Sequence, residues 1–126
     1  MADKFKAIQD FWSSFGLQAY DENSVPSGDS APLFPYITYS ASTDSIGNDI
    51  PLTGSLWYRS ASWAAISQKA AEIERFLYEH NSPIEVDGGY LWIKRGSPFA
   101  QRMGDDSDDM IRRIYINITA EFLTAY

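Results

Sequence analysis

From Ile111 to Tyr126 the chain alternates. Ile114, Ile116, Ile118, Ala120 and Phe122 occupy every second position, with Arg113, Tyr115, Asn117, Thr119 and Glu121 between them. Successive side chains of a β-strand point to opposite faces, so this pattern predicts a strand with one buried face. A one-residue slip would bury Tyr115, Asn117, Thr119 and Glu121 instead, which pins the register. This strand is expected to be the spine of a sheet.

Two segments carry the helical period instead. In Lys4–Phe15, Phe5, Ile8, Phe11, Trp12 and Phe15 recur at spacings of three and four, with Asp3 as an N-cap and Gly16 as a C-terminal stop. In Ser62–His80 the stripe is Trp63, Ile66, Ala70, Ile73 and Leu77, capped by Ser60 or Ser62 and ended by Asn81 and Pro83. Trp63, Ile66, Ile73, Leu77, Ile114, Ile116 and Ile118 are the expected core. Glu72 is placed to pair with Arg75.

The remaining strands are shorter. Tyr36–Ser42 and Leu52–Arg59 are rich in β-formers, and Leu52, Gly54, Leu56 and Tyr58 share one face of the second. Strands joined this closely usually pair antiparallel. Pro83–Val86 and Tyr90–Arg95 flank Asp87-Gly88-Gly89, a favoured hairpin turn. Residues 19–35 contain Pro26, Pro32 and Pro35 and read as a loop or arm; 43–51 reads as a turn and 96–109 as a polar connection. No repeat is present. Residues 1–126 then form one α+β domain: a mainly antiparallel sheet with one long helix packed on a face and a short N-terminal helix.

Composition narrows the chemistry. There is no cysteine, which excludes disulfides and thiolate metal sites. Net charge is −7, which disfavours a nucleic-acid binder and adhesion to an anionic membrane. The opening Met-Ala-Asp-Lys-Phe-Lys has no long apolar run behind its lysines and is not expected to be a signal peptide. No apolar run is long enough to span a bilayer. At 15% the aromatic content is high enough that some rings are expected at a surface or interface.

No reaction is written in the residues. His80 is the single histidine and lies at a helix end, where the dipole favours a cation. The loop Gly104-Asp105-Asp106-Ser107-Asp108-Asp109 lacks the ligand spacing of an EF-hand and reads as a solvated acidic loop. Asn117-Ile118-Thr119 fits a glycosylation sequon but falls mid-strand. Gly88-Gly89 lacks the lysine and the following helix of a phosphate loop. The basic residues Lys94, Arg95, Arg102, Arg112 and Arg113 flank the acidic loop, which suggests either complementarity between subunits or local, water-screened pairs.

Four stretches carry a family resemblance. They are Phe34-Pro35-Tyr36-Ile37-Thr38-Tyr39, Gly54-Ser55-Leu56-Trp57-Tyr58-Arg59-Ser60, Ile93 to Met103, and the Asp-rich loop entering Ile111-Arg112-Arg113-Ile114-Tyr115-Ile116-Asn117-Ile118. From about residue 34 onward, with the leading helix, the chain resembles the tail terminators of siphophages. None of these motifs is a catalytic signature. The resemblance implies a small α+β virion protein that forms a hexameric ring of copies of itself. Such a ring caps the tail tube, ends its polymerisation and offers the head-tail joining surface. Its partners would be the major tail tube protein and head-tail connector proteins; DNA would pass through without specific binding, and no membrane or cofactor would be involved. Assembly would take place in the bacterial host cytoplasm and the product would reside in the virion tail.

On that reading the protein is not an enzyme. The expected subunit and partner contacts include Trp57, Tyr58, Lys94, Arg95, Arg102, Asp105, Asp106, Asp108, Asp109, Arg112 and Arg113. Charge reversal at Arg112 and Arg113 is expected to weaken assembly more than folding. Three alternatives stay open at this point: another neck or tail-tube component of similar fold, a small enzyme using a carboxylate pair, and an acidic cation-binding module.

Overall fold

The computed structural model describes residues 3–105 and 107–126. Helix α1 (Lys4–Ser13) leads into strand β1 (Gln18–Asp21), β2 (Tyr36–Tyr39) and β3 (Asp49–Arg59). Helix α2 (Ala64–Glu79) follows, then β4 (Ile84–Val86), β5 (Gly89–Met103) and β6 (Ile111–Thr124). One sheet holds all six strands in the order β1-β2-β3-β6-β5-β4.

The expected antiparallel sheet under one long helix is not what the chain forms. The sheet is mixed and curves into a half-barrel, with two helices of 10 and 16 residues. Two features account for the difference. First, β1 pairs with β2 in parallel, Gln18 opposite Tyr36 through Asp21 opposite Tyr39. Parallel neighbours need a crossover of roughly a dozen residues or more, and residues 22–35 provide it. The proline-rich arm is therefore the link that a parallel edge requires. Second, α1 is a full partner in the core. Asp3 caps it, accepting from the Lys6 N–H at 2.8 Å. Ala7, Ile8, Phe11 and Trp12 are all buried.

The alternation in β6 emerges as expected. Ile114, Ile116, Ile118, Ala120 and Phe122 are buried against Leu52 and Leu56 of β3, Leu91 and Ile93 of β5, and both helices. β6 is the spine in a literal sense, pairing with β3 from Asp49 to Arg59 on one side and with β5 on the other. Strand β5 runs on where a polar connection was expected. Its register shifts between Arg95 and Ala100, so residues 96–99 bulge and the ladder resumes with Ala100 opposite Ile116. The bulge turns Phe99 inward, where it is buried. The hairpin between β4 and β5 turns on Asp87-Gly88, with Gly88 at φ 83.

Helix α2 begins two residues later than expected. Trp63 takes the N-cap position without a side-chain bond, and Ser62 Oγ accepts from the Ala64 N–H at 3.0 Å. Glu72 pairs with Lys69 at 3.1 Å rather than with Arg75. Trp63 is half-buried at the rim of the core instead of within it.

Candidate functional site

Both helices pack on the isoleucine face of the sheet, and among the described residues no helix covers the other. Register fixes which side chains meet on this open face. Tyr36, Trp57, Arg113 and Met103 lie side by side on β2, β3, β6 and β5. The neighbouring row is Tyr20, Thr38, Ser55, Tyr115 and Gln101. The Trp57 indole N–H donates to Thr38 Oγ1 at 2.9 Å, which ties the ring to the neighbouring strand. Tyr36 stacks on Trp57 with centroids 6.2 Å apart and planes at 15°, and Tyr20 meets Tyr36 edge-on at 6.2 Å. The Arg113 guanidinium lies 4.7 Å from the Trp57 centroid and 5.5 Å from that of Tyr115, while its Nε donates to Ser55 Oγ at 3.0 Å. Cation–π contact and a hydrogen bond together fix the arginine over the rings. Burial raises the Tyr36 pKa, and the Tyr20 phenol adds to the shift.

At the other end of the same face sits a charged cluster. Lys94 Nζ donates to Glu121 at 3.1 Å and to both Asp49 oxygens at 3.2 Å, and lies 4.8 Å from the Trp92 ring. Partial burial pulls the Lys94 pKa down, but its hydrogen bonds and proximity to Glu121 and Asp49 outweigh that and raise it overall. A lysine whose pKa is higher folded than unfolded stabilises fully below the ordinary lysine range, and this contribution is lost as pH rises through the raised value. The melting temperature gap between the protein and a Lys94→Met variant should therefore narrow above about pH 10.5. Thermal melts across that range check it; a gap that widened with pH would contradict the cluster.

The other expected contact residues divide between the two faces. Tyr58, Arg95, Arg102 and Arg112 all point to the helix side. Arg95 Nε donates to Glu74 of α2 at 2.6 Å. Arg102 and Arg112 flank the Trp63 ring at 4.9 and 5.3 Å. Arg112 also donates to the carbonyls of Asp109 and Ala61, so it fastens the acidic loop to the start of α2. Burial, and then the negative charge of Glu72, raises the Tyr58 pKa.

In the acidic loop, Asp105 accepts from the Ser107 hydroxyl at 2.6 Å and from the Ser107 N–H at 2.8 Å, and these bonds lower its pKa. Asp108 accepts from Arg59 at 3.1 Å and from the Met110 N–H at 2.9 Å. Asp109 is exposed, and Asp106 lies outside the described residues. Much of the proposed complementarity of charge is thus met within one copy. His80 stacks on Phe76 at 4.1 Å with its Nδ1 3.1 Å from the Phe76 carbonyl oxygen. Asn117 donates to the Pro98 carbonyl at 2.8 Å.

Sequence reasoning missed Tyr20, Tyr36, Thr38 and Tyr115 as neighbours of Trp57 and Arg113. Tyr115 was within reach, because it shares a strand face with Arg113. The others depend on pairings across β1, β2 and β3 that alternation alone does not specify.

No family model matches this sequence, and no curated protein matches it. Two chains of solved structures do. One belongs to a structure described as the virion of a native gene transfer agent (GTA) particle. It superposes with a TM-score of 0.54 over 87% of this chain and 81% of its own, at 22% identity. The two chains share a fold.

Proposed function

We propose that this protein is a structural component of a virion, acting as a tail-terminator subunit. In this role copies form a hexameric ring on the tail tube, end its polymerisation and present the head-joining surface. The role is assembly, not catalysis. The observation that carries the proposal is the fold shared with a chain of a gene transfer agent virion particle. The motifs quoted above from residue 34 onward favour the terminator role among virion proteins. The physical character of the chain fits as well. An open sheet face with a half-buried aromatic row is a surface suited to a protein partner. A net charge of −7 suits a ring through which DNA must pass without adhering.

The test is to polymerise the tail tube protein of the same virion with and without this chain, and to follow both by electron microscopy and light scattering. Capped tubes bearing a ring of this chain at one end are expected. Strict monomers at high concentration, together with uncapped tubes of unchanged length distribution, would reject the proposal. Two arginine variants separate assembly from folding. Arg112→Glu removes donors from two backbone carbonyls and should lower the melting temperature more; Arg113→Glu, on the open face, should impair assembly more. The reverse order would remove the open face from the contact surface.

A further inference from the structure

We infer that the subunits of the ring join head to tail, with the arm of residues 22–35 from one copy seated in the groove between α2 and β5 of the next. Leu33 is the apolar anchor and the arm's carboxylates face Arg75. This inference rests on the ring reading above and assigns the contact that closes it.

Charge is divided unevenly along the chain. Between Lys6 and Arg59 there is no lysine or arginine, while Asp10, Asp21, Glu22, Asp29, Asp44 and Asp49 all fall there. The arm lies in the middle of this acidic half. Leu33 is 88% exposed and Phe34 beside it is 36% exposed, so the end of the arm presents two adjacent large apolar side chains. Pro26, Pro32 and Pro35 restrict the arm's backbone, so that docking it costs less conformational freedom.

The groove is the complement. It encloses about 620 Å3 between the second half of α2 and β5. Ala71, Leu77 and Tyr78 give it apolar walls and Arg75 brings positive charge; Arg95 is paired with Glu74, which also lines the groove, and Lys94 lines it while its ammonium sits on the opposite face. Tyr78 is 86% exposed although its ring lines the groove. Lys94 and Arg95 already have carboxylate partners, whereas Arg75 has none within 4.0 Å among the described residues. Beside the groove, β4 pairs only with Gly89–Leu91. From Trp92 onward the margin of β5 away from β6 has no partner strand among the described residues and leaves backbone groups for an incoming segment.

Topology keeps the two features apart. The arm joins β1 to β2 at one margin of the sheet, the groove lies at the other, and β3 and β6 stand between them. An arm that meets the groove of the next copy makes a heterologous contact, which closes into a ring when the rotation allows.

The absence of cysteine makes the test clean. A Leu33→Cys, Tyr78→Cys double variant of the full chain is assembled with tube protein and treated with a short bismaleimide. A ladder of covalent multimers ending at the subunit number of the ring is expected, with none from either single variant. Arg75→Glu should weaken ring formation several-fold, and Asp29→Lys in the same chain should recover part of that loss. Rings that form without a ladder, or with only an internal cross-link, overturn this contact and leave the ring reading standing. An unmodified protein that forms no rings, with or without tube protein, overturns both.

Discussion

Gly54→Ala should cost on the order of 3 kcal/mol, a large loss for the addition of one methyl group. Gly54 lies in the middle of β3 directly beneath the Trp12 indole. A Cβ at that position would stand 2.5 Å from Trp12 Cη2 and 2.8 Å from Cζ2 and Cζ3. The indole has little room to retreat. It is fully buried, with Phe11 edge-on at 4.9 Å and Tyr39 stacked at 6.4 Å. Its N–H has no hydrogen-bond partner among the described residues, so packing holds the ring. Trp12→Phe removes the overlapping part of the ring together with the orphaned donor. In that background Gly54→Ala should cost much less, giving a coupling of about 1–3 kcal/mol between two residues 42 positions apart in the chain. Urea denaturation midpoints of the four proteins measure it. Strict additivity would show that the helix does not sit on the sheet as described.

The second large effect separates the two faces of β6. Phe122→Ala is expected to cost about 3–5 kcal/mol and Ile116→Ala about 2–5 kcal/mol, because both side chains are fully buried and leave cavities. Thr119→Ala, on the open face of the same strand, should stay within about 0.5 kcal/mol. Equilibrium unfolding of the three variants checks the contrast. Comparable losses at Thr119 and Ile116 would mean that the open face is itself buried.

These expectations show how far the sequence could be read. The face of β6, the cap at Asp3 and the stripe of α2 from Ile66 to Leu77 follow from local periodicity and hydrogen bonding and appear as read, whereas Trp63 falls outside the helix at the rim of the core. Strand β1 does not follow in this way, because residues 19–21 read as part of the loop, and four residues such as Gln18–Asp21 carry no pattern that marks a strand or tells a parallel partner from an antiparallel one. The second half of β5 was hidden by its bulge. The step from Arg95 to Ala100 breaks the alternation that marks a strand, and Gly96, Ser97 and Pro98 resemble a turn in isolation.

The candidate site was legible in part for a similar reason. Trp57 and Arg113 were both singled out, but their contact depends on β3 pairing with β6, two strands separated in the chain by α2, β4 and β5. The basic residues looked like one patch because they are close in sequence. Strand alternation sends Lys94 to one face and Arg95 to the other, and a patch on paper becomes two sites in space.

The place of β6 also governs when the molecule is able to form. Everything N-terminal to residue 111 divides into two pieces that share no strand pairing: β1, β2 and β3 on one side, and the β4–β5 hairpin on the other. Only the arrival of Ile111–Thr124 pairs them into one sheet. During synthesis the ribosome must therefore release residues 111–124 before either piece has its neighbour. Until then the two pieces lack the strand they share, so a chain ending between Met103 and Ile111 would hold two unpaired sheet halves on one polypeptide instead of a smaller version of the sheet.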